Sequence, residues 1–196
     1  MAFEPSLAQA LELLFTEERK VRSFQKGAYL FQEGEPADDI FWLRSGKVKV
    51  GKIVPDGREL TIRVSKKQDM LIEMTLFEEE AVYMMNAKAL EYEEARAVPR
   101  RFLEKLLSSK PELMVYWLRY TQTEHLRTQS KLRDLVMNGK KGGVYSTLIR
   151  MGNTFGKQTE DGIIQMKRNQ ITLCDLDYLK REINCENCPI DICQID

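Results

Sequence analysis

The sequence predicts an α+β protein: a β-roll (jelly roll), then helices, then a small C-terminal unit. Three observations predict it. From about Val21 to Ala97, short runs of β-branched and aromatic residues alternate with Gly, Pro and Asp. After Pro99 the pattern turns helical. Three of the four cysteines, Cys185, Cys188 and Cys193, crowd into the last stretch as C-x2-C-x4-C, separate in character from everything before them.

Leu7, Leu11 and Leu14 have helical spacing and predict a short first helix. Strands are expected at Tyr29-Leu30-Phe31, Ile40-Phe41-Trp42-Leu43, Lys47-Val48-Lys49-Val50 and Glu59 to Val64. Between them lie Gln32-Glu33-Gly34-Glu35-Pro36, Arg44-Ser45-Gly46 and Pro55-Asp56-Gly57, the last with Pro and Gly where a tight turn wants them. Regularly spaced short strands of this kind suggest a sandwich or roll. Arg100 to Leu107 reads as a short helix, and Ser109-Lys110-Pro111 opens a longer one. Met114, Leu118, Thr121, His125, Thr128, Leu132 and Leu135 step by four and three, a heptad seam with a polar centre. Asn138-Gly139 ends that helix, and Gly142 to Met151 adds a further helical stretch. Ile163 to Met166 and Gln170 to Leu173, flanking Lys167-Arg168-Asn169, read as a hairpin. The expected division is 1–98 for the roll, 99–138 for the short and long helices, and 139–196 for the C-terminal unit.

A chain of 196 residues, 43% hydrophobic and 31% charged, has enough apolar residues for a buried core. No apolar run approaches the roughly 20 residues of a membrane helix, and the N-terminus shows no signal-peptide pattern. The expected compartment is the reducing cytosol, where clustered cysteines bind metal more often than they form structural disulfides. Charge is uneven beneath a net of zero. The stretch from Arg119 to Arg150 is basic, and Glu182 to Asp196 is acidic. A basic helix faces either nucleic acid or solvent, and composition leaves both open.

Thiols spaced as C-x2-C-x4-C suit one metal centre, because the short loop lets the sulfurs face one site. Spacing alone leaves an iron–sulfur cluster and zinc open, zinc taking a fourth ligand such as Cys174. A redox-active Cys185–Cys188 disulfide is a third option. Cys174, in the run Ile171-Thr172-Leu173-Cys174, reads otherwise as a packed thiol. His125 is the only histidine and falls in the heptad seam, so it reads as a polar interface residue. There is no P-loop and no dinucleotide fingerprint. An enzyme is not expected.

The segments from Tyr29 to Asp38 and from Leu43 to Val50 resemble the strand-and-glycine pattern of the Crp/Fnr family of bacterial transcription regulators. The stretch Gln129 to Leu135, then Gly139-Lys140-Lys141-Gly142 and Tyr145 to Arg150, is similar to the helix and hinge of the Bacillus-type Fnr branch, and so is the C-terminal cysteine motif. The resemblance runs nearly end to end. It implies a cyclic-nucleotide-binding-like roll, a homodimer through residues 111–138, and an oxygen-responsive [4Fe–4S] cluster held by Cys185, Cys188 and Cys193. It also implies a carboxylate as fourth ligand, at the position of Asp134. From the residues alone, Asp134 next to Arg133 reads equally as a surface ion-pair partner. RNA polymerase and palindromic DNA are the partners that the family implies.

Two departures qualify the resemblance. The family places a helix-turn-helix of some forty residues between hinge helix and final hairpin, whereas Thr159 to Ile163 here runs straight into Ile164-Gln165-Met166. The C-terminal unit is therefore a truncated winged unit, not expected to read DNA unaided. A chain that keeps the dimer helix and lacks the DNA reader also fits an interaction protein that forms heterodimers with an intact relative, or a zinc-clipped structural dimer. Cyclic-nucleotide-binding rolls hold the phosphate with a Gly-Glu and an Arg-Ser pair. The matching stretch here has Ile72-Glu73 and Tyr83-Met84, with Glu78-Glu79-Glu80 between, so no cyclic nucleotide is expected.

Overall fold

The computed structural model describes residues 21–155, 164–167, 170–173, 175–185 and 193. The chain divides into two compact units, Met1–Leu118 and Arg119–Asp196. The expected first helix at Leu7 to Leu14 lies outside the described residues.

The first unit is the roll. Its strands are β1 (Val21–Phe24), β2 (Tyr29–Phe31), β3 (Asp39–Leu43), β4 (Lys47–Ile53), β5 (Glu59–Lys66), β6 (Met70–Leu71), β7 (Asn86–Ala89) and β8 (Glu93–Pro99). They form two antiparallel four-stranded sheets, β1-β8-β3-β6 and β2-β7-β4-β5. Strand periodicity sends alternate side chains inward. Val48 and Val50 of β4, Ala87 and Ala89 of β7, Phe41 and Leu43 of β3, and Ala95 and Ala97 of β8 meet in one buried core with Phe31, Leu71 and Tyr83. The ring of Tyr83 stacks on Phe31 with centroids 3.9 Å apart and planes 10° apart. Its hydroxyl donates to the Asp39 carbonyl at 2.6 Å. Met70 is buried, and Met74 and Met85 pack on the core, but Met84 points out and is exposed.

Helix α1 (Arg100–Ser109) follows β8 directly. Leu103 and Leu107 bury its apolar face. Arg100 forms a buried ion pair with Glu104 at 2.8 Å, and Glu104 also accepts from the Phe77 amide. Arg100 further donates to the Glu78 carbonyl, and Arg101 to the Glu79 carbonyl. These bonds fasten the loop after β6 to α1 through its main chain.

Helix α2 runs over Pro111–Phe155 and is broken at Gly139, where φ is 58° and ψ is −159°. That backbone conformation is open essentially to glycine alone. The expected helix end at Asn138-Gly139 is thus a break, with a second helical stretch beyond it as the sequence predicts. The second unit continues with β9 (Ile164–Lys167) and β10 (Gln170–Leu173), then α3 (Leu176–Glu182). Lys167 pairs with Gln170, so β9 and β10 form the expected antiparallel hairpin. Asp175 caps α3, its carboxylate accepting from the Tyr178 amide at 2.7 Å.

Candidate metal centre

The second unit has an apolar cluster of Ile149, Leu179, Ile183 and Cys193, with Tyr145, Leu148, Leu176, Tyr178 and Cys185 packed around it. Leu179 and Ile183 come from α3 and the turn that ends it, four residues apart and so on one face. Cys185 follows at once, and its amide donates to the Lys180 carbonyl at 2.8 Å. The turn is fixed on α2 by two contacts. Lys141 pairs with Glu182 at 2.8 Å. Ile183 approaches Gly142, where an added Cβ would stand 3.6 Å from its Cγ2 and far too close to Asn138. Further along α2, the Asn153 amide donates to the Cys193 carbonyl at 2.7 Å. The first and last cysteines of the motif therefore lie on one apolar cluster. Cys188 and Cys174 lie outside the described residues. Among the described residues, no three potential metal-binding side chains converge.

Asp134 is not at the surface. It is 6% exposed and engaged on both oxygens. Oδ2 accepts from the Ser146 hydroxyl at 2.5 Å and from Arg150 Nη2 at 2.8 Å. Oδ1 accepts from Arg133 at 3.1 and 3.2 Å. Arg150 also donates to the hydroxyls of Ser130 and Ser146. Ser130 and Asp134 lie before the break at Gly139, and Ser146 and Arg150 after it. The break turns two stretches of one helix against each other, and this buried polar network spans them. Burial alone would raise the Asp134 carboxyl. The Ser146 hydroxyl and the Arg150 and Arg133 guanidinium groups outweigh it and hold the carboxyl below its ordinary range. Asp134 is thus an anion inside the unit. Ser130, Ser146 and Arg150 were not among the residues the sequence singled out. The one available signal was the matched four-residue spacing of Ser130/Asp134 and Ser146/Arg150 on either side of Asn138-Gly139.

Chemically, the donor set fits a metal group in its thiols and asks for a rearrangement at its carboxylate. Cys185 and Cys193 come from opposite ends of the motif to one apolar cluster. Asp134 carries the required negative charge, but it already has protein partners.

The chain matches the cyclic nucleotide-binding domain family over residues 21–110. It is 36% identical to the "Anaerobic regulatory protein" of Bacillus subtilis, an alignment covering 89% of this chain and 88% of that one. The chain belongs to the Crp/Fnr family of transcription regulators. Another Crp/Fnr relative, the "CRP-like cAMP-activated global transcriptional regulator" of Mycobacterium tuberculosis, is 32% identical, with 83% of this chain and 70% of that one covered. In fold, the chain is similar to FixK2 from Bradyrhizobium japonicum, with a TM-score of 0.68, 17% identity, and 88% and 99% of the two chains covered. These Crp/Fnr relatives are regulators rather than enzymes. Among the described residues, no helix is long and apolar enough to cross a membrane.

In the roll, the stretch from Ile72 to Met84, which the resemblance matches to a nucleotide-binding loop, is bonded between its ends. Glu73 pairs with Arg63, and the Met84 amide donates to the Glu73 carbonyl at 2.6 Å. Tyr83, at the position expected for arginine, is buried in the core.

Proposed function

We propose that this chain is an oxygen- or redox-responsive regulator of Fnr type whose labile [4Fe–4S] cluster is held by Cys185, Cys188, Cys193 and Asp134. The observation that carries this is the gathering of Cys185 and Cys193 onto one apolar cluster, in the same unit as a buried, ionised Asp134. The identity to the Bacillus anaerobic regulator supports it. Bound there, the cluster supplies iron that reacts with oxygen. The chain's own residues set how firmly it is held. Thiolates are soft ligands suited to iron–sulfur iron, and a carboxylate is a harder and weaker one. Three strong ligands and one weak one give a centre that is readily lost. Because Cys185 follows α3 and Asp134 lies on α2, such a site ties the tail to the broken helix.

The homodimer is proposed through residues 111–138. Leu118, His125, Leu132 and Leu135 of the seam are exposed in the single chain, as are Leu126, Val136 and Met137. A helix face so apolar is normally covered, and a second copy presents the matching heptads. No cyclic nucleotide is assigned to the roll, because Tyr83 fills interior space and the Glu73 carboxylate is paired with Arg63 rather than available to a ligand.

Sequence-specific DNA binding by this chain alone is not assigned. Only positions 156–163 separate the end of α2 from β9, too few for two helices. The alignment to the Bacillus relative runs over 210 positions, more than this chain contains, and so crosses a gap in it. That shortfall favours a second reading, an interaction protein that pairs with an intact relative and disables it. Co-expression tests it: mixed dimers that fail to bind operator DNA support the second reading, and mixed dimers that bind normally refute it. The cluster is tested by anaerobic purification with iron, acid-labile sulfide and zinc measured on one sample, then repeated after air. About four iron and four sulfide per chain, lost in air, is the expected result for a [4Fe–4S] centre. One zinc that survives air refutes it and makes the tail a structural clip.

A further inference from the structure

The carboxylate that the cluster reading requires is already bound to something else. Asp134 Oδ2 accepts from Ser146 and from Arg150, and Arg150 is itself 3% exposed. A carboxylate oxygen has a limited set of lone-pair directions, and two charge-assisted donors on one oxygen compete directly with a metal for it. Withdrawing Asp134 from Arg150 would break a charge-assisted bond between two buried groups. Breaking a buried ion pair is costly.

Resting on the cluster reading, we propose that Arg150 is a positioning residue that competes with iron for Asp134, and that this competition sets how easily the cluster is lost. Asp134 then has two alternative attachments. With the cluster present, one of its oxygens bonds iron and its hold on Arg150 weakens. On loss of the cluster, Asp134 would exchange that ligation for the hydrogen bonds from Arg150 and Ser146 seen here. No electron moves in that exchange. Asp134 stays ionised throughout, so no proton moves either. Ser146 acts with Arg150, since it donates to the same oxygen. The competing pair lies across the break at Gly139, so the state of the cluster also changes how strongly the two stretches of α2 are cross-braced. Neither Arg150 nor Ser146 touches iron in this scheme. Their effect passes through Asp134.

The test compares the full-length wild-type chain with Arg150→Ala, each prepared as the apo form and as the form anaerobically reconstituted with ferrous iron and sulfide. Two readouts are taken under argon: the thermal midpoint of each form, and the rate of cluster loss to an iron chelator. Competition predicts that Arg150→Ala lowers the midpoint of the apo form more than that of the reconstituted form. It also predicts cluster loss about tenfold slower, the scale of one charge-assisted hydrogen bond. Arg150→Lys, which keeps the charge, should return the rate towards wild type. Equal drops in both forms with an unchanged or faster loss rate would mean that Arg150 is merely structural, and would overturn the proposal. If Arg150→Ala does not fold, Ser146→Ala supplies the same comparison, because it removes one donor to Oδ2 without stranding a charge; an unchanged or faster loss rate there overturns the proposal equally. A wild-type chain that takes up no iron and sulfide refutes the cluster reading itself. A wild-type chain that takes them up, with loss rates that the variants do not slow, refutes only the role of Arg150.

Discussion

Glu93 opens β8 inside the roll with its side chain fully buried. Neither carboxylate oxygen has a well-formed hydrogen bond among the described residues, and only the Ser45 main chain lies close enough to favour its charge. Desolvation is the main cause that pushes its carboxyl up from the ordinary 4.5 to about 7, with Glu91 and Glu94 adding to it and the Ser45 main chain offsetting part. That difference corresponds to roughly 3 kcal/mol between the protonation states. Below about pH 4.5 both folded and unfolded chains keep the proton and ionisation costs nothing. As the pH rises from 4.5 to 7 the unfolded chain releases its proton first, so the fold progressively loses stability, and above 7 the loss is complete. Glu93→Gln removes this dependence. The assay is urea unfolding of the apo chain at about pH 5 and about pH 8, followed by the fluorescence of Trp42, which is buried in β3 of the same sheet. The stability of the variant relative to wild type should be higher at pH 8 than at pH 5 by about 2–3 kcal/mol. A relative stability that is the same at both pH values, within about 0.5 kcal/mol, would refute the claim that burial raises the Glu93 carboxyl.

The same roll makes Gly46→Ala severe. Its φ is 70°, and an added Cβ would stand 2.3 Å from Glu93 Oε2 and 2.5 Å from the Tyr92 carbonyl. A loss of at least about 2 kcal/mol in the urea assay is expected, and a loss below about 1 would show that the β3–β4 turn relaxes freely. Leu132, 60% exposed, should be essential to the dimer seam, so Leu132→Asp should sediment as a monomer. A dimer that persists places the interface elsewhere. Cys188→Ala should abolish the brown colour of anaerobically purified protein, and full cluster occupancy in that variant would remove Cys188 from the ligand set. Asp134→Ala should speed oxygen-driven loss of the cluster, with an unchanged decay rate showing that another group supplies the fourth ligand.

Much of the roll was legible because its signals are local. Gly46 and Gly57 have the positive φ that their turns demand, and Val48 and Val50 alternate with lysines as a half-buried strand does. Strand β7 was harder to see. Asn86-Ala87-Lys88-Ala89 has no β-branched or aromatic residue, and its inward alanines are small because the core there is already filled by Phe31 and Tyr83. Met84 follows the same logic in reverse: its neighbours Tyr83 and Met85 turn towards the core, so strand-like alternation sends it outward. In the second unit the cysteine spacing suggested a centre, and the glycine break was readable from Asn138-Gly139. The surroundings of Asp134 were not. Arg133 is adjacent in sequence and suggested a surface pair, whereas the buried partner, Arg150, stands 16 residues on. No periodic pattern links those two positions. The backbone turn at Gly139 does.

Gly139 also has a mechanical consequence. The stretch of α2 beyond it, residues 140–155, is a rigid arm about 24 Å long at 1.5 Å per residue. A rotation of only about 10° about a single-residue pivot carries the far end of such an arm through about 4 Å, roughly three-quarters of one helical turn. The brace between Asp134 and Arg150 grips that arm near its tip, 11 residues from the pivot on the far side and five on the near side. A change of an ångström or two in that brace is geometrically amplified before the chain reaches β9.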